Sequence, residues 1–440
     1  MFQYSMIQSV RHHARKLDRM LRDELIHMYQ PLKYTPCFLH KYIEKLFKKT
    51  KRYKVVIQFD QNNCDLDNEM NNIHKITDRH FGCRFEKSLS TVGCCSAKLT
   101  PDAIVDVLDQ CKHVKKVFAD REVKALLDVA TPTVGADDLV RNGTELTGKG
   151  VNVAVIDTGI YPHADLEGRI VGFVDFVDGQ EEAYDDNGHG THCAGDVAGD
   201  GAMSDGQYQA PAPKANVIGV KVLDKMGSGS LSTVMEGVQW CIEHQEEFNI
   251  DVISMSLGSP ANSSYPTEDD DPMVQVVEAA WDAGMVVCVA AGNEGPDHQT
   301  IASPGISDKV ITVGAMDDRG TADYEDDDIA EFSSRGPTIY NEVKPDVVAP
   351  GVDIISLRAP NSYFDKIQKA ARVGEYYTTM SGTSMATPIC AGVVALMLEY
   401  NPDWTPDEVK AQLMEHAEGF GDANTYGAGL IQVDRVVQDN

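Results

Sequence analysis

The residue types that could perform covalent chemistry lie in three short motifs of this 440-residue chain. Ser384 lies in Gly-Thr-Ser-Met-Ala-Thr-Pro (382–388), which opens a helix-like stretch rich in Ala and Val. A serine at such a helix start can act as a nucleophile. Asp157 ends an apolar, strand-like run, and His189 lies among glycines just before a helix. Together the three motifs predict a serine nucleophile with its base and the acid that orients the base.

Each motif also has a simpler structural interpretation. Taken alone, Ser384 would be a helix cap and Asp157 a structural cap. His192 follows His189 by three residues and could be mistaken for a metal partner, although a histidine satisfied by packing is the more common case. Asn293 could be an ordinary turn residue before Gly295. The presence of all the motifs in one chain favours the catalytic interpretation.

Further motifs occur between residues 130 and 435, namely Ser-Leu-Gly at 256–258, Ala-Ala-Gly-Asn at 290–293, Phe-Ser-Ser-Arg-Gly-Pro at 332–337, Lys-Pro-Asp at 344–346 and Ala-Pro-Gly at 349–351. With the chain order Asp, His, Ser, they resemble the subtilisin-like serine proteases. The resemblance implies that His189 carries the proton between Ser384 and the leaving amine, while Asp157 orients the ring. It also implies that the Asn293 amide and the Ser384 N–H stabilise the oxyanion.

The same resemblance implies an extended polypeptide substrate. Two backbone segments would pair with it by strand addition, Gly227, Ser228 and Gly229 on one side and Ser256, Leu257 and Gly258 on the other. Ala290, Ala291 and Gly292 would line a roomy primary pocket. We therefore expect broad specificity with a large apolar or aromatic residue before the cleaved bond.

The elements that must position these residues follow a strand and helix alternation from Gly150 onward. The predicted buried strands are 151–156, 216–222, 252–255, 285–290 and 310–313, and the predicted helices between them are 230–248 and 273–283. This alternation predicts an α/β fold, a doubly wound and mostly parallel sheet with helices on both faces. Reaction centres of such sheets lie beyond the carboxyl ends of the strands.

Residues 51–127 predict a separate small domain with β-α-β-β-α-β order, a ferredoxin-like α+β arrangement. It resembles the inhibitory propeptide of the family, and an unrelated accessory domain is the alternative. Residues 1–50 would be an N-terminal extension, helical before Pro31, and residues 128–440 the catalytic domain. We expect self-cleavage near Leu127-Asp128, after which the small domain inhibits the large one as an intramolecular partner.

The two parts of the chain have net charges of opposite sign. Residues 1–130 contain 23 Lys plus Arg against 16 Asp plus Glu, a net of +7, whereas residues 131–440 contain 16 against 52, a net of −36. A basic segment can bind nucleic acid, but it has no recognition motif here, and the acidic remainder would repel phosphate. We therefore expect no nucleic-acid partner.

The chain has no recognisable signal peptide and no apolar stretch of membrane-spanning length. We therefore expect reduced thiols for its ten cysteines, a cytoplasmic location and no membrane partner. No cofactor is required for the chemistry. Structural calcium could bind the acidic runs 269–271 or 326–328, although such runs are usually solvated surface, and 199–206 lacks the Asn-rich calcium loop of secreted subtilisins.

These features together resemble the bacterial AprX-type group within the family, which implies a serine endopeptidase. Two other functions are compatible with the fold. The first is a non-catalytic protein that holds peptides, which a complete triad with Asn293 disfavours. The second is an esterase that uses the same acyl chemistry, which a comparison of peptide amides with esters would separate.

Overall fold

A computed structural model describes residues 5–17, 21–22, 25–26, 35, 40–60, 66–89, 93–119, 127–141, 143–322, 324 and 326–438. The chain forms two compact units, Met1–Val123 and Lys124–Asn440. The predicted boundary, after residue 127, lies a few residues further along the chain.

The small unit is built on a four-stranded antiparallel sheet. Its described elements are α1 (Ser5–His12), α2 (His40–Thr50), β1 (Tyr53–Phe59), α3 (Leu66–Arg79), β2 (Arg84–Leu89), β3 (Cys94–Leu99), α4 (Pro101–Gln110) and β4 (Val114–Ala119). The strands lie in the order β2-β3-β1-β4. From β1 to β4 the elements follow a β-α-β-β-α-β order. Helix α4 begins where the sequence indicates, because the Thr100 side chain accepts from Ala103 N and Pro101 occupies the first turn.

The N-terminal residues share the core of this small unit. Met6, Leu17 and Leu25 are buried in one apolar cluster with Val55 and Ile57 of β1. The predicted division between residues 50 and 51 is therefore not a break in packing. The apolar side chains in this otherwise basic stretch are buried among those of the sheet, so the extension and the small domain form one unit.

The large unit contains a mostly parallel sheet. Its strands, in chain order, are β5 (Val140–Arg141), β6 (Thr144–Glu145), β7 (Asn152–Asp157), β8 (Ile170–Asp175), β9 (Asn216–Lys221), β10 (Ile250–Met255), β11 (Ser259–Pro260), β12 (Val286–Ala290), β13 (Ala302–Ser303), β14 (Ile311–Asp317), β15 (Asp328–Ile329), β16 (Val347–Pro350), β17 (Ile354–Leu357), β18 (Arg372–Val373) and β19 (Tyr377–Met380). The central sheet has the order β15-β14-β12-β10-β7-β9-β8, and β16 also pairs with β14. Within this sheet only the β14–β15 pair is antiparallel.

Helices pack against this sheet in two groups. The described helices are α5 (Leu127–Thr133), α6 (His189–Ala198), α7 (Leu231–Glu243), α8 (Gln245–Phe248), α9 (Pro272–Asp282), α10 (Tyr363–Ile367), α11 (Thr383–Tyr400), α12 (Pro406–Glu415), α13 (Ala423–Tyr426) and α14 (Val433–Val436). Helix α11 packs on the central strands together with α6, whereas α7 packs with α9. The predicted α/β class is confirmed.

Helix α11 corrects one expectation from the sequence. It has 18 residues and is apolar enough to cross a membrane by length and composition. Its residues from Met385 to Leu398 are buried within the large unit, and the helix contacts five strands of the central sheet. It is therefore the core helix of this unit.

Candidate active site

Four neighbouring strands bring the predicted site segments to one edge of the sheet. The strands β9, β7, β10 and β12 lie side by side and parallel. Asp157 ends β7, the segment 256–258 follows β10, and the segment 291–293 follows β12. The exposed segment 227–229 follows β9 on the other side of Asp157. Because the carboxyl ends of parallel strands share one edge, all these residues belong to a single region.

Asp157 and His189 form a close pair at this edge. His189 Nδ1 lies 2.8 Å from Asp157 Oδ1 and 2.9 Å from Oδ2. Asp157 is fully buried, whereas the His189 side chain remains 19% exposed. Thr158 N also donates to Asp157 Oδ1 at 2.7 Å. An imidazole that donates from Nδ1 to a carboxylate keeps Nε2 as its acceptor, which is the tautomer that a general base needs.

The loop before α6 is shaped so that His189 reaches this aspartate. Gly188 has a φ of 106°, which favours glycine, and a Cβ on Gly190 would collide with the carbonyl oxygen of Gly159. The buried Asp185 accepts from Gly188 N at 2.8 Å and from Thr191 N at 2.9 Å. The glycines around His189 therefore permit a close approach, and one carboxylate fixes the backbone that makes it.

The surroundings of His189 favour its charged form. Burial disfavours the imidazolium, but the negative charge of Asp157 and the hydrogen bond to it prevail, and they raise the pKa of His189 well above its ordinary value. Cys193, one turn further along α6, has its pKa raised to about 11 by burial, so it remains a protonated thiol.

Ser384 is the second residue of α11 and is partly exposed. Pro388 lies four residues later and has no N–H to bond the Ser384 carbonyl oxygen. That oxygen instead accepts from Ser256 Oγ at 2.7 Å and from Cys193 Sγ at 3.5 Å. The proline therefore frees the backbone of Ser384 to be held by the neighbouring segments.

Cys193 also connects Ser384 with His189, because its sulfur lies 3.7 Å from His189 Nδ1. The Ser384 hydroxyl itself donates to the Ser256 carbonyl at 3.2 Å. Within the described part of the chain, no hydrogen bond joins this hydroxyl to the His189 ring. Catalytic hydrogen bonds are often long without substrate and tighten when it binds.

Asn293 lies beside the start of α11. Its Oδ1 accepts from Thr383 N at 2.9 Å and from Thr383 Oγ1 at 3.1 Å. These two donors fix which end of the amide is oxygen, so the exposed NH₂ group is available next to the backbone of Ser384. The arrangement offers donors to an oxygen that acquires negative charge near Ser384.

The residues predicted to line the primary pocket differ in their surroundings. Ala291 is fully buried in an apolar cluster with Val274, Ile301 and Ile306, so its side chain faces that cluster. Ala290 is also buried, and Gly292 has a φ of 108°. Ala291 could therefore line a pocket only through its backbone, because its methyl group is used in the core.

The predicted substrate segments differ in exposure. Gly258 and the whole of 227–229 are exposed, Leu257 is half-buried, and Ser256 is buried against Ser384. The predicted cleavage position falls elsewhere, because Leu127 and Asp128 are the first two residues of α5. That bond would have to leave the helix before it could bind as an extended strand.

His192 is not part of this site. It is fully buried, with Nδ1 at 3.0 Å from Asp196 Oδ2 and Nε2 at 3.2 Å from the Ile354 carbonyl oxygen. Both ring nitrogens therefore have partners within the core. This agrees with the interpretation of His192 as a helix residue satisfied by packing.

Several acidic groups could supply metal ligands. Potential ligand atoms of Asp157, His189 and Cys193 lie within 4.8 Å of one another, so a metal there would occupy the atoms that pair Asp157 with His189. In the 269–271 run, Asp270 and Asp271 accept from the backbone N–H of Thr267 and Met273 as helix caps. These two side chains are thus used for local structure.

The 199–206 loop and the acidic run 326–328 differ in whether protein donors bind the nearby carboxylates. Near the 199–206 loop, Asp165 accepts from Met203 N at 3.1 Å and from Tyr377 OH at 2.7 Å, so protein donors occupy the carboxylate. In the 326–328 run, both carboxylate oxygens of Asp327 are buried without a hydrogen-bond partner among the described residues. Burial and the nearby acidic Asp318 raise the pKa of Asp327 to about 7. Of the two acidic runs, 326–328 thus fits a cation better.

Two residues that organise the site were not predicted from the sequence. Asp185 fixes the loop before His189, and Lys221 ends β9 directly beside Asp157. For Lys221 the sequence does contain a signal, because it is a charged residue at the end of an apolar run. Such a residue must find a partner when it is buried. The eight described cysteines carry no disulfide.

Known proteins share this sequence pattern and this fold. The model of the Subtilase family matches residues 148–429. The chain is 55% identical to serine protease AprX of Bacillus subtilis (strain 168) over 99% of both chains. It is 36% identical to subtilisin DY of Bacillus licheniformis over 70% of this chain and 97% of that protein. The solved structure of sphericase is similar with a TM-score of 0.58 at 28% identity, covering 69% of this chain and 97% of that one. The chain therefore belongs to the subtilase family and is a subtilisin-like serine protease, a hydrolase that acts on polypeptides.

Proposed function

We propose that this serine protease is an endopeptidase in which Asp157, His189 and Ser384 act as the catalytic triad. The observation that supports these roles most strongly is the close pair between Asp157 and His189, beside the strand β10 whose following residue, Ser256, contacts Ser384. The peptide carbonyl would be attacked by Ser384 Oγ while His189 Nε2 takes its proton. The imidazolium then gives that proton to the leaving amine, and water repeats the sequence on the acyl-enzyme.

Substrate would bind as an added strand between the segments 227–229 and 256–258. The exposure of Gly227, Ser228, Gly229 and Gly258 supports this, since small exposed residues leave their backbone groups open to a peptide. We propose a pocket at 290–292 that accepts an apolar or aromatic residue before the cut. Hydrolysis of otherwise identical peptide amides with Phe, Leu or Asp at this position tests both the activity and the preference. Cleavage that is fastest after Asp would contradict the proposal.

Asn293 is expected to stabilise the tetrahedral oxyanion with its amide. In a subtilisin, removing the equivalent donor lowers kcat by roughly 10²–10³, about 2.7–4 kcal/mol, and we expect Asn293→Ala to cost the same order with little change in KM. Steady-state kinetics on a peptide amide measures this. Asn401→Ala is the matched control, because Asn401 follows the last residue of α11, roughly 27 Å along the helix axis from Thr383, which contacts Asn293. Equal losses in both variants would contradict the role of Asn293.

The pH dependence of the reaction should reflect His189. The base must be neutral to accept the Ser384 proton, and its pKa lies above the ordinary value. Activity is therefore present at alkaline pH and is lost as the pH falls through that raised pKa. We expect the acid limb of a kcat/KM profile to have its midpoint above about 6.5. A midpoint at or below this value would contradict the account of the Asp157–His189 pair.

We further propose that the chain cleaves itself near Leu127-Asp128 and that the small domain then inhibits the large one. The opposite net charges of residues 1–130 and 131–440 support an association that weakens with salt. Mass spectrometry of the purified wild-type chain after incubation would locate the cut. Inhibition that is unchanged between low and high salt would remove the electrostatic part of this proposal.

The remaining proposals concern location and ions. We propose a cytoplasmic protein with no membrane or nucleic-acid partner and no cofactor required for the chemistry. Structural calcium stays a prediction for the run 326–328, where the buried oxygens of Asp327 support it. If calcium binds there, EDTA should lower the melting temperature of the wild-type chain, and Asp327→Asn should abolish that difference.

A further inference from the structure

One buried lysine lies where three loops of the proposed site meet. Lys221 is 0% exposed, and its ammonium donates to Thr158 O at 2.7 Å, to Asp186 Oδ1 at 2.9 Å and to Leu223 O at 2.9 Å. An ammonium has three donors, so each donor has an acceptor. The three acceptors belong to three different segments: the one after β7, the one before α6 and the one after β9.

The contacts of Lys221 with Thr158 and Leu223 connect it to Asp157. Lys221 lies beside Asp157 in the register of β9 and β7. Thr158, whose carbonyl the ammonium holds, donates its own N–H to Asp157 Oδ1 at 2.7 Å. Leu223, whose carbonyl is also held, donates its N–H to the Asp157 carbonyl oxygen at 3.2 Å. The ammonium therefore holds the carbonyl groups of two residues, Thr158 and Leu223, whose own N–H groups bind Asp157, and Leu223 begins the segment that leads towards 227–229.

The contact of Lys221 with Asp186 connects it to the turn that carries His189. Asp186 lies between Asp185, which caps the start of α6, and Asn187, whose Oδ1 accepts from His189 N at 3.1 Å. One cation thus joins the strand end that carries the aspartate to the turn that carries the histidine.

The lysine also lies in a strongly acidic neighbourhood. Asp157, Asp175 and Asp185 are buried near it, Asp186 is its ion-pair partner, and the Tyr184 ring centroid lies 5.1 Å from its Nζ. The His189 ring itself contacts Asp157 and Cys193, and the buried Asp196 of the same helix also interacts with its charge. A positive charge here offsets carboxylates that would otherwise favour the imidazolium.

We infer that Lys221 is a positioning residue of the reaction, which sets the Asp157–His189 geometry and supplies the counter-charge of this acidic edge. The inference rests on the proposed triad. A merely structural lysine would lower stability when removed, whereas a positioning cation should also change how His189 titrates.

The test compares Lys221→Met with Lys344→Met. Lys344 is the matched control, since it is also buried and paired, at 2.7 Å with Asp346, but before β16 at the opposite edge of the sheet. We expect Lys221→Met to lose roughly 10²-fold in kcat. Its kcat/KM midpoint should rise by on the order of half a pH unit, because an unbalanced anion favours the imidazolium. Lys344→Met should lower the melting temperature and leave the midpoint unchanged.

Asp186→Asn is the second variant. If Lys221→Met does not fold, the midpoint of Asp186→Asn tests the inference by itself. Asp186 is 32% exposed, so the substitution is tolerable, and it leaves the ammonium with one anion fewer. We expect its midpoint to fall, opposite to that of Lys221→Met. An unmoved midpoint in Asp186→Asn, or a Lys221→Met variant that differs from wild type only in stability, overturns the inference. A wild-type chain without a serine-directed label at Ser384 would instead overturn the proposed triad.

Discussion

Replacing Ser384 by alanine should abolish peptide hydrolysis while leaving the fold intact. In subtilisin, a member of the same family, loss of the triad serine lowers kcat by about 2 × 10⁶, and we expect the same order here. The physical reason is that the hydroxyl is the only atom of Ser384 that can form the acyl bond. The hydrogen bond from this hydroxyl to the Ser256 carbonyl contributes little to stability.

Hydrolysis of a peptide amide and thermal unfolding should be measured on the same preparation. The purified Ser384→Ala chain should also remain uncleaved near Leu127-Asp128. Ser381→Ala is the control, since Ser381 is exposed and lies just before α11. We expect it to keep the wild-type rate. Residual hydrolysis or processing by Ser384→Ala at the wild-type rate would refute both the nucleophile and the autocatalytic cleavage.

Replacing Asp157 by asparagine should produce the second largest loss. The amide presents an N–H to His189 Nδ1, where the carboxylate accepted one, so the ring takes the wrong tautomer and Nε2 no longer accepts a proton. Such a change costs roughly 10⁴ in kcat in a protease triad. The variant should retain substrate binding, so KM should change much less than kcat.

Asp346→Asn provides the matched comparison for this variant. Asp346 is also a buried carboxylate with a close cation, Lys344, but it lies before β16 at the opposite edge of the sheet. We expect this control to lose stability and to keep its kcat. If both variants lost kcat equally, the effect of Asp157→Asn would be one of folding and not of tautomer.

Much of the large unit could be predicted from the sequence. The strands β7, β9, β10 and β12 begin within two residues of the predicted positions, because strands buried on both faces appear as continuous apolar runs. Strand β8 was missed, because it lies at the edge of the sheet and most of its residues are only partly buried. The short strands β16 to β19 were missed as well, since two to four residues carry too little periodicity.

The candidate site was predictable where a motif fixes a local conformation. Glycines around His189 and a helix start at Ser384 are local signals. The structure pairs His189 with Asp157 and places Ser384 against Ser256, which follows the neighbouring strand β10. The roles of Lys221 and Ala291 depend on segments far along the chain. Lys221 contacts Thr158, which is 63 residues away, and Ala291 packs on Val274 and Ile301. Such partners cannot be inferred from spacing.

The most direct test of the catalytic account is covalent labelling of the wild-type chain with a serine-directed fluorophosphonate, followed by peptide mapping. The account predicts one labelled peptide, with the label on Ser384, and no label there in the Asp157→Asn variant over the same short time. A wild-type chain that hydrolyses peptides while its label lies on another serine would contradict the assignment of Ser384, His189 and Asp157.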